Sequence, residues 1–236
     1  MWQVQKNLAW IALAVLIFAC DQSAETPQNP QRDYFPMETS QYRIYSVEEI
    51  KYILSVPETL NYDLKVVTSE SFINDQGGRT FVLHRYRRSN GGEWIPDETW
   101  SAFMRQEKAI VMRGNIPYVV LEFPVEEGRK WNGNAFNLQT HFYTGEPADE
   151  YVITSIDETV ELAGETFLNC AVVQQEDDED PILYKDVRME TYAPGVGLIS
   201  KQTIQLKYCS RDACLGQKQI EEGLIYNQTL VEYGQE

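Results

Sequence analysis

Apolar residues recur at every second position along much of this chain, and that period narrows the choice of fold sharply. Tyr42 and Ile44, then Ile50, Tyr52 and Leu54, share one parity, as do Tyr62, Leu64 and Val66. Val119, Leu121 and Phe123 repeat the pattern, and Val196, Leu198, Ile204, Leu206 and Tyr208 keep it late in the sequence. Turn clusters separate the runs, among them Asp75-Gln76-Gly77-Gly78, Asn90-Gly91-Gly92, Gly114-Asn115, Gly145-Glu146-Pro147 and Pro194-Gly195. Only nine alanines follow position 20, few for a helix-built protein. Strands in series with hairpin turns imply an all-β fold: a single antiparallel meander forming a curved sheet, barrel or sandwich. At 43% hydrophobic and 12% aromatic residues, the chain has the apolar content to build a core. One segment reads two ways. Ser46-Val47-Glu48-Glu49 fits a capping box, with Ile50, Ile53 and Leu54 at helical spacing behind it. The same residues fit one long strand from Gln41 to Leu54, which we favour because a short isolated helix is marginal.

The first nineteen residues obey a different rule. They carry one charge, Lys6, and then an apolar run of twelve residues from Leu8 to Ala19. That is too short to span a hydrocarbon core, which takes about 20 helical residues, and it has the layout of a secretory signal. Its end, Leu16-Ile17-Phe18-Ala19-Cys20, resembles the bacterial lipobox, with Phe18 bulkier than the residue usual before the small Ala. The resemblance implies cleavage before Cys20 and acylation of that cysteine, including by palmitate-like chains. Asp21 to Asp33 is rich in Gln, Pro, Asn and Ser and reads as a flexible tether. The expected organisation is therefore signal peptide 1–19, lipidated Cys20 and tether 20–33, and one β domain 34–236. The expected address is the bacterial cell envelope, on the outer membrane or a periplasmic face.

Catalytic signatures are sparse. The chain has two histidines, His84 and His141, in different segments. His84 alternates with Val82 and Tyr86 and is expected on a strand face. No HExxH, CxxC, G-x-S-x-G elbow or phosphate-cradling glycine loop occurs. We expect no catalytic residues, no metal and no cofactor, and read the protein as a non-enzyme.

Charge is more informative. The net charge is −16, which argues against nucleic acid as a partner because a phosphate backbone would repel the chain. From Trp131 to Tyr184 there is no Lys or Arg but twelve Asp and Glu, five of them consecutive: Glu176, Asp177, Asp178, Glu179 and Asp180. That run is a candidate weak cation site, since hard cations take several carboxylate oxygens, although it lacks the spaced pattern of a calcium loop. The alternative is a solvated hairpin loop that discourages edge association. An earlier stretch is basic, with Arg79, Arg85, Arg87, Arg88, Arg105, Lys108 and Arg113. Trp94, Trp100 and Trp131, the last in Trp131-Asn132-Gly133-Asn134, suit either a β core or a face for a sugar or apolar ligand. Beyond Cys20, Cys209 and Cys214 are close enough in sequence to form a short disulfide, and Cys170, alternating with Leu168 and Val172, is expected as a small buried group.

Several pieces resemble a family of bacterial lipoproteins of unassigned activity common in the Bacteroidota. They are Tyr34-Phe35-Pro36, Phe123-Pro124-Val125 with Gly128 and Trp131-Asn132-Gly133-Asn134, Gly164-Glu165-Thr166-Phe167 with Asn169-Cys170, and Tyr192-Ala193-Pro194-Gly195-Val196-Gly197-Leu198-Ile199 followed by Lys201. The resemblance spans nearly the whole chain after the tether. It implies a secreted, lipid-anchored β protein and brings no catalytic residues. The Pro194-Gly195-Val196-Gly197 segment has its own sufficient reason, a fixed φ followed by residues free to turn the chain into a strand.

The leading expectation is a non-catalytic, lipid-anchored binding or assembly module. It would meet the membrane through its anchor, and an envelope protein or a small apolar or saccharide ligand. The alternatives are a carrier holding an apolar ligand, lipid or lipoprotein in a curved sheet, and a hydrolase whose site is assembled across strands. A filled core would favour the first and an open apolar cavity of several hundred Å³ the second. The hydrolase needs His84 or His141 in a cleft beside carboxylates.

Overall fold

A computed structural model describes residues 31–75, 77–146 and 150–236. The signal sequence, Cys20 and the tether up to residue 30 lie outside the described residues.

Twelve strands make one antiparallel sheet in the order β6-β5-β4-β3-β2-β1-β12-β11-β10-β9-β8-β7. The strands are β1 Gln41–Ile53, β2 Val56–Ile73, β3 Arg79–Arg88, β4 Ile95–Arg105, β5 Lys108–Arg113 and β6 Ile116–Glu122. They continue as β7 Lys130–Asn132, β8 Glu150–Leu162, β9 Glu165–Asp180, β10 Tyr184–Ala193, β11 Gly197–Tyr208 and β12 Ile220–Gln235. Among the described residues the only helical element is a single 3-10 turn at Arg32–Tyr34. The all-β meander holds, and it is a barrel, because the two terminal strands of the order, β6 and β7, are consecutive in the chain and meet. Val119 N–H donates to Gly133 O at 2.9 Å, and Trp131 Nε1 donates to Val119 O at 2.8 Å. These contacts make the sheet a nearly closed barrel.

Residues 41–53, which read as helix or strand from sequence, are strand throughout and pair on both sides, with β2 and β12. The apolar parity nevertheless marks the outer face there. The inward positions are Arg43, Tyr45, Val47 and Glu49, while Leu54 is 82% exposed. Two of these inward residues are charged, so apolar alternation alone marks the other face of β1.

The acidic run requires a second correction. Residues 176–180 are the end of β9 rather than a hairpin loop, and the turn follows them. Four of the five carboxylates have individual partners. Glu176 faces Arg188 at 3.7 Å, Asp178 accepts from Tyr184 Oη at 2.5 Å, and Glu179 meets Lys218 at 2.7 Å and Lys185 at 3.3 Å. Asp180 accepts the Ile182 and Leu183 N–H groups and shapes the turn.

Two apolar clusters line the barrel. One gathers Leu83, Ile110, Val119, Leu121, Phe123, Trp131 and Ile153; the other gathers Tyr45, Leu64, Cys170, Ile199 and Leu230. Tyr34 ties the incoming N-terminal segment to β9 by donating to Asn169 O at 2.6 Å. Cys209 and Cys214 form a disulfide with their Cα atoms 5.8 Å apart, and Cys170 is free and buried.

Candidate functional site

The clusters leave the middle of the barrel unfilled. A cavity of about 410 Å³ lies there, within the size range of small-molecule sites. The turn-and-extended segment after the tether supplies one end of its wall through Phe35, Pro36 and Met37. The strands contribute apolar side chains, including Val66, Leu83, Trp100, Val120 and Leu198. Into this lining project five cations, Arg43, Arg85, Arg87, Arg113 and Lys201, and three carboxylates, Glu49, Glu98 and Glu190.

Glu190, on β10, is the centre of the polar group. It is 1% exposed, and its carboxylate meets Lys201 at 2.8 Å, Arg113 at 3.3 Å and the Tyr192 hydroxyl at 2.5 Å. Burial alone would raise its carboxyl, but the Lys201 and Arg113 charges outweigh burial and hold it down at about 2. Burial, followed by the charge of Arg113, pulls the Lys201 ammonium down to about 8. A second group sits along the barrel. Glu49 accepts from Tyr62 at 2.8 Å and pairs with Lys51 at 2.6 Å, and Arg87 pairs with Asp97 at 2.9 Å.

Arg85 differs from these. Its guanidinium lies 3.7 Å from the centroid of the Trp100 ring, a cation–π contact. The nearest carboxylate oxygens, of Asp97 and Glu98, are 3.8 and 3.9 Å away. Burial pushes its pKa below the ordinary arginine value.

The histidines are elsewhere. His84 faces Thr99 Oγ1 at 3.2 Å. His141 is buried, with Nδ1 accepting the Thr144 N–H at 3.1 Å and Nε2 3.2 Å from Asp186 Oδ2. Asp186, fully buried, also accepts from Arg188 Nε at 2.8 Å and Gln205 at 3.3 Å, and burial raises its carboxyl. Nδ1 of His141 is thus engaged and Nε2 lies beside the Asp186 carboxylate, which places its segment against β10. Neither histidine lines the cavity.

Of the residues singled out from sequence, Trp100 reaches the cavity, while Trp131 is 5% exposed and bonded into the seam, so it is a core residue and not a ligand face. The five carboxylates of 176–180 line no part of the cavity. Among the described residues no three His, Cys, Asp or Glu side chains are placed together to hold a metal ion. Glu190 carried no motif, Arg85 and Arg113 stood out only as members of a basic stretch, and Lys201 only as the residue after the Tyr192–Ile199 segment. Their signal is parity: the alternation that puts Val82, His84 and Tyr86 on one face of β3 puts Leu83, Arg85 and Arg87 on the other.

No protein-family model matches the chain, and no curated protein does. Two solved structures are similar to it: a predicted exported protein of YmcC-like fold from Bacteroides fragilis, and a predicted lipoprotein from Parabacteroides distasonis. Each is 12% identical, with 85% of this chain and 98% of the other covered at a TM-score of 0.43. A likeness so distant carries no argument about this chain.

Proposed function

We propose that this protein is a non-catalytic binding protein of the bacterial cell envelope, anchored through Cys20, whose barrel holds a small apolar molecule. The cavity supports this reading over a purely structural or assembly module. A barrel whose interior served only as a core would be packed to the density of an organic crystal, whereas this one keeps about 410 Å³ open among aromatic and aliphatic side chains. The lipobox supports the address. A catalytic reading gains nothing from the cavity, since neither histidine faces it.

Titration of the purified full chain with the neutral dye Nile red tests the reading. Saturable fluorescence enhancement with one site per chain is expected. Val120, 2% exposed and lining the cavity, is the residue to enlarge. Val120→Trp should weaken dye binding by about tenfold or more by occupying the space, with the β-sheet circular dichroism retained. Absence of saturable uptake by the unaltered chain would overturn the proposal.

A further inference from the structure

The cavity is rich in positive charge although the chain as a whole carries −16. Its cations are not equally satisfied. Lys201 has Glu190 at 2.8 Å, Arg87 has Asp97 at 2.9 Å, and Arg43 donates to the backbone carbonyls of Val196 and Pro36. Arg85 is paired only loosely, with Asp97 and Glu98. Its side chain is 9% exposed, its Nε is buried with no hydrogen-bond acceptor, and its closest carboxylate oxygens stand at 3.8 Å and beyond. Arg113, which shares Glu190 with Lys201 through one terminal nitrogen, also has a buried Nε without an acceptor.

A guanidinium has five N–H donors in a planar fork and no means of losing its charge near neutral pH. Leaving a buried N–H of such a fork without an acceptor is costly, and an anion can accept two hydrogen bonds from one guanidinium. Trp100 fixes where that anion would sit. The indole face covers one side of the Arg85 guanidinium, and the Arg113 guanidinium lies 5.4 Å from the same ring. Stacking occupies the faces and leaves the N–H edges to an acceptor. The remaining lining is apolar, and the cavity is far larger than one inorganic anion.

We propose that the ligand is an anionic amphiphile, with a carboxylate or phosphate head held by Arg85 and Arg113 and an apolar tail along Val66, Leu83 and Val120. This rests on the reading of the cavity as a ligand site and adds the chemistry of what enters it. An anionic amphiphile fits better than a neutral apolar molecule, because a neutral ligand would leave the buried Arg85 Nε without an acceptor.

Binding of decanoate, decyl phosphate, decanol and acetate to the full chain, followed by tryptophan fluorescence or isothermal titration, separates the two proposals. The expected result is that decanoate or decyl phosphate binds at least about tenfold more tightly than decanol, and that acetate binds far more weakly than either. Arg85→Gln should bring the anionic amphiphile down to the affinity of decanol and leave decanol within about twofold of its original value. Arg85→Lys should retain part of the preference. Equal affinities for decanoate, decyl phosphate and decanol in the unaltered chain overturn the anion site while leaving the apolar cavity intact. A preference that survives Arg85→Gln overturns the assignment of the head group to Arg85. Acetate binding as tightly as decanoate removes the tail, and failure of all three ten-carbon ligands removes the cavity reading as well. The comparison of ligands in the unaltered chain decides the anion question even if Arg85→Gln folds poorly.

Discussion

At Glu190, two cations and a phenol converge on a carboxylate that water does not reach. Its carboxyl titrates at about 2 in the fold against 4.5 unperturbed, so the group is a stability element with a defined sign. A depressed acid contributes its full stabilisation above the unfolded value and loses it as the proton returns. The contribution is therefore present above pH 4.5 and lost as the pH falls toward 2. Lys201 acts in the opposite sense. Its folded value, about 8, lies below the ordinary 10.5, so the cost of holding it charged is relieved as pH rises through that interval. Glu190→Gln leaves Lys201 and Arg113 without their shared counter-ion, and we expect a loss of about 3–5 kcal/mol at neutral pH. It should also flatten the acid limb of the stability curve between pH 4.5 and 2. Urea denaturation of both chains across pH checks both outcomes; equal midpoints at pH 7 would show that the cluster carries no stability. The sequence makes such residues hard to find. Arg85 and Glu190 lie in different strands, 105 positions apart by their numbering, and only closure brings β5 and β3 across from β10.

Closure of the barrel depends on its shortest strand. β7 spans Lys130–Asn132, yet it stands opposite β6 at the seam and pairs on its other side with β8. The segment that follows works because Gly133 has no side chain: a Cβ there would sit 2.2–2.5 Å from the Tyr151 ring. Tyr151 in turn packs edge-on to Trp131, with ring centroids 5.9 Å apart, and Trp131 donates across the seam to Val119 O. Gly133→Ala should therefore push Tyr151 off Trp131 and strain the Val119–Gly133 hydrogen bond, destabilising the chain by about 1–3 kcal/mol. A melting temperature equal to the unaltered chain's would show that the ring relaxes freely, contrary to this account. Elements were legible from sequence wherever apolar alternation was long, as in β2, where Tyr62, Leu64 and Val66 do face inward. They were misjudged where a competing term dominated. In β1 the inward positions include Arg43 and Glu49, charged residues that line the cavity, so the apolar parity falls on the other face. In β9 the acidic residues form strand because the neighbouring β10 supplies Lys185 and Arg188, partners that local composition does not reveal. The three-residue β7 is too short for any period to register.

Across the whole molecule, the N-terminal segment joins the address to the cavity. Gly195 N–H donates to Asp33 O at 2.8 Å, Arg43 donates to Pro36 O at 3.4 Å, and Phe35 to Met37 form part of the cavity wall. Residues 33–37 thus complete the barrel, and the proposed anchor at Cys20 would act separately from them. These two roles separate experimentally. Each acyl methylene contributes about 0.8 kcal/mol to membrane residence, and stable anchoring takes two chains or more. Among the described residues, the groups that close the barrel wall lie at or after position 33. Cys20→Ala should accordingly move the protein from the washed membrane fraction to the soluble fraction and abolish palmitate labelling. It should leave the affinity for Nile red and for decanoate within about twofold, because the cavity lining is untouched. A Cys20→Ala chain still held on washed membranes would place the anchor elsewhere. A soluble one that no longer binds either probe would mean that the acyl chains themselves, and not Phe35 to Met37, finish the cavity.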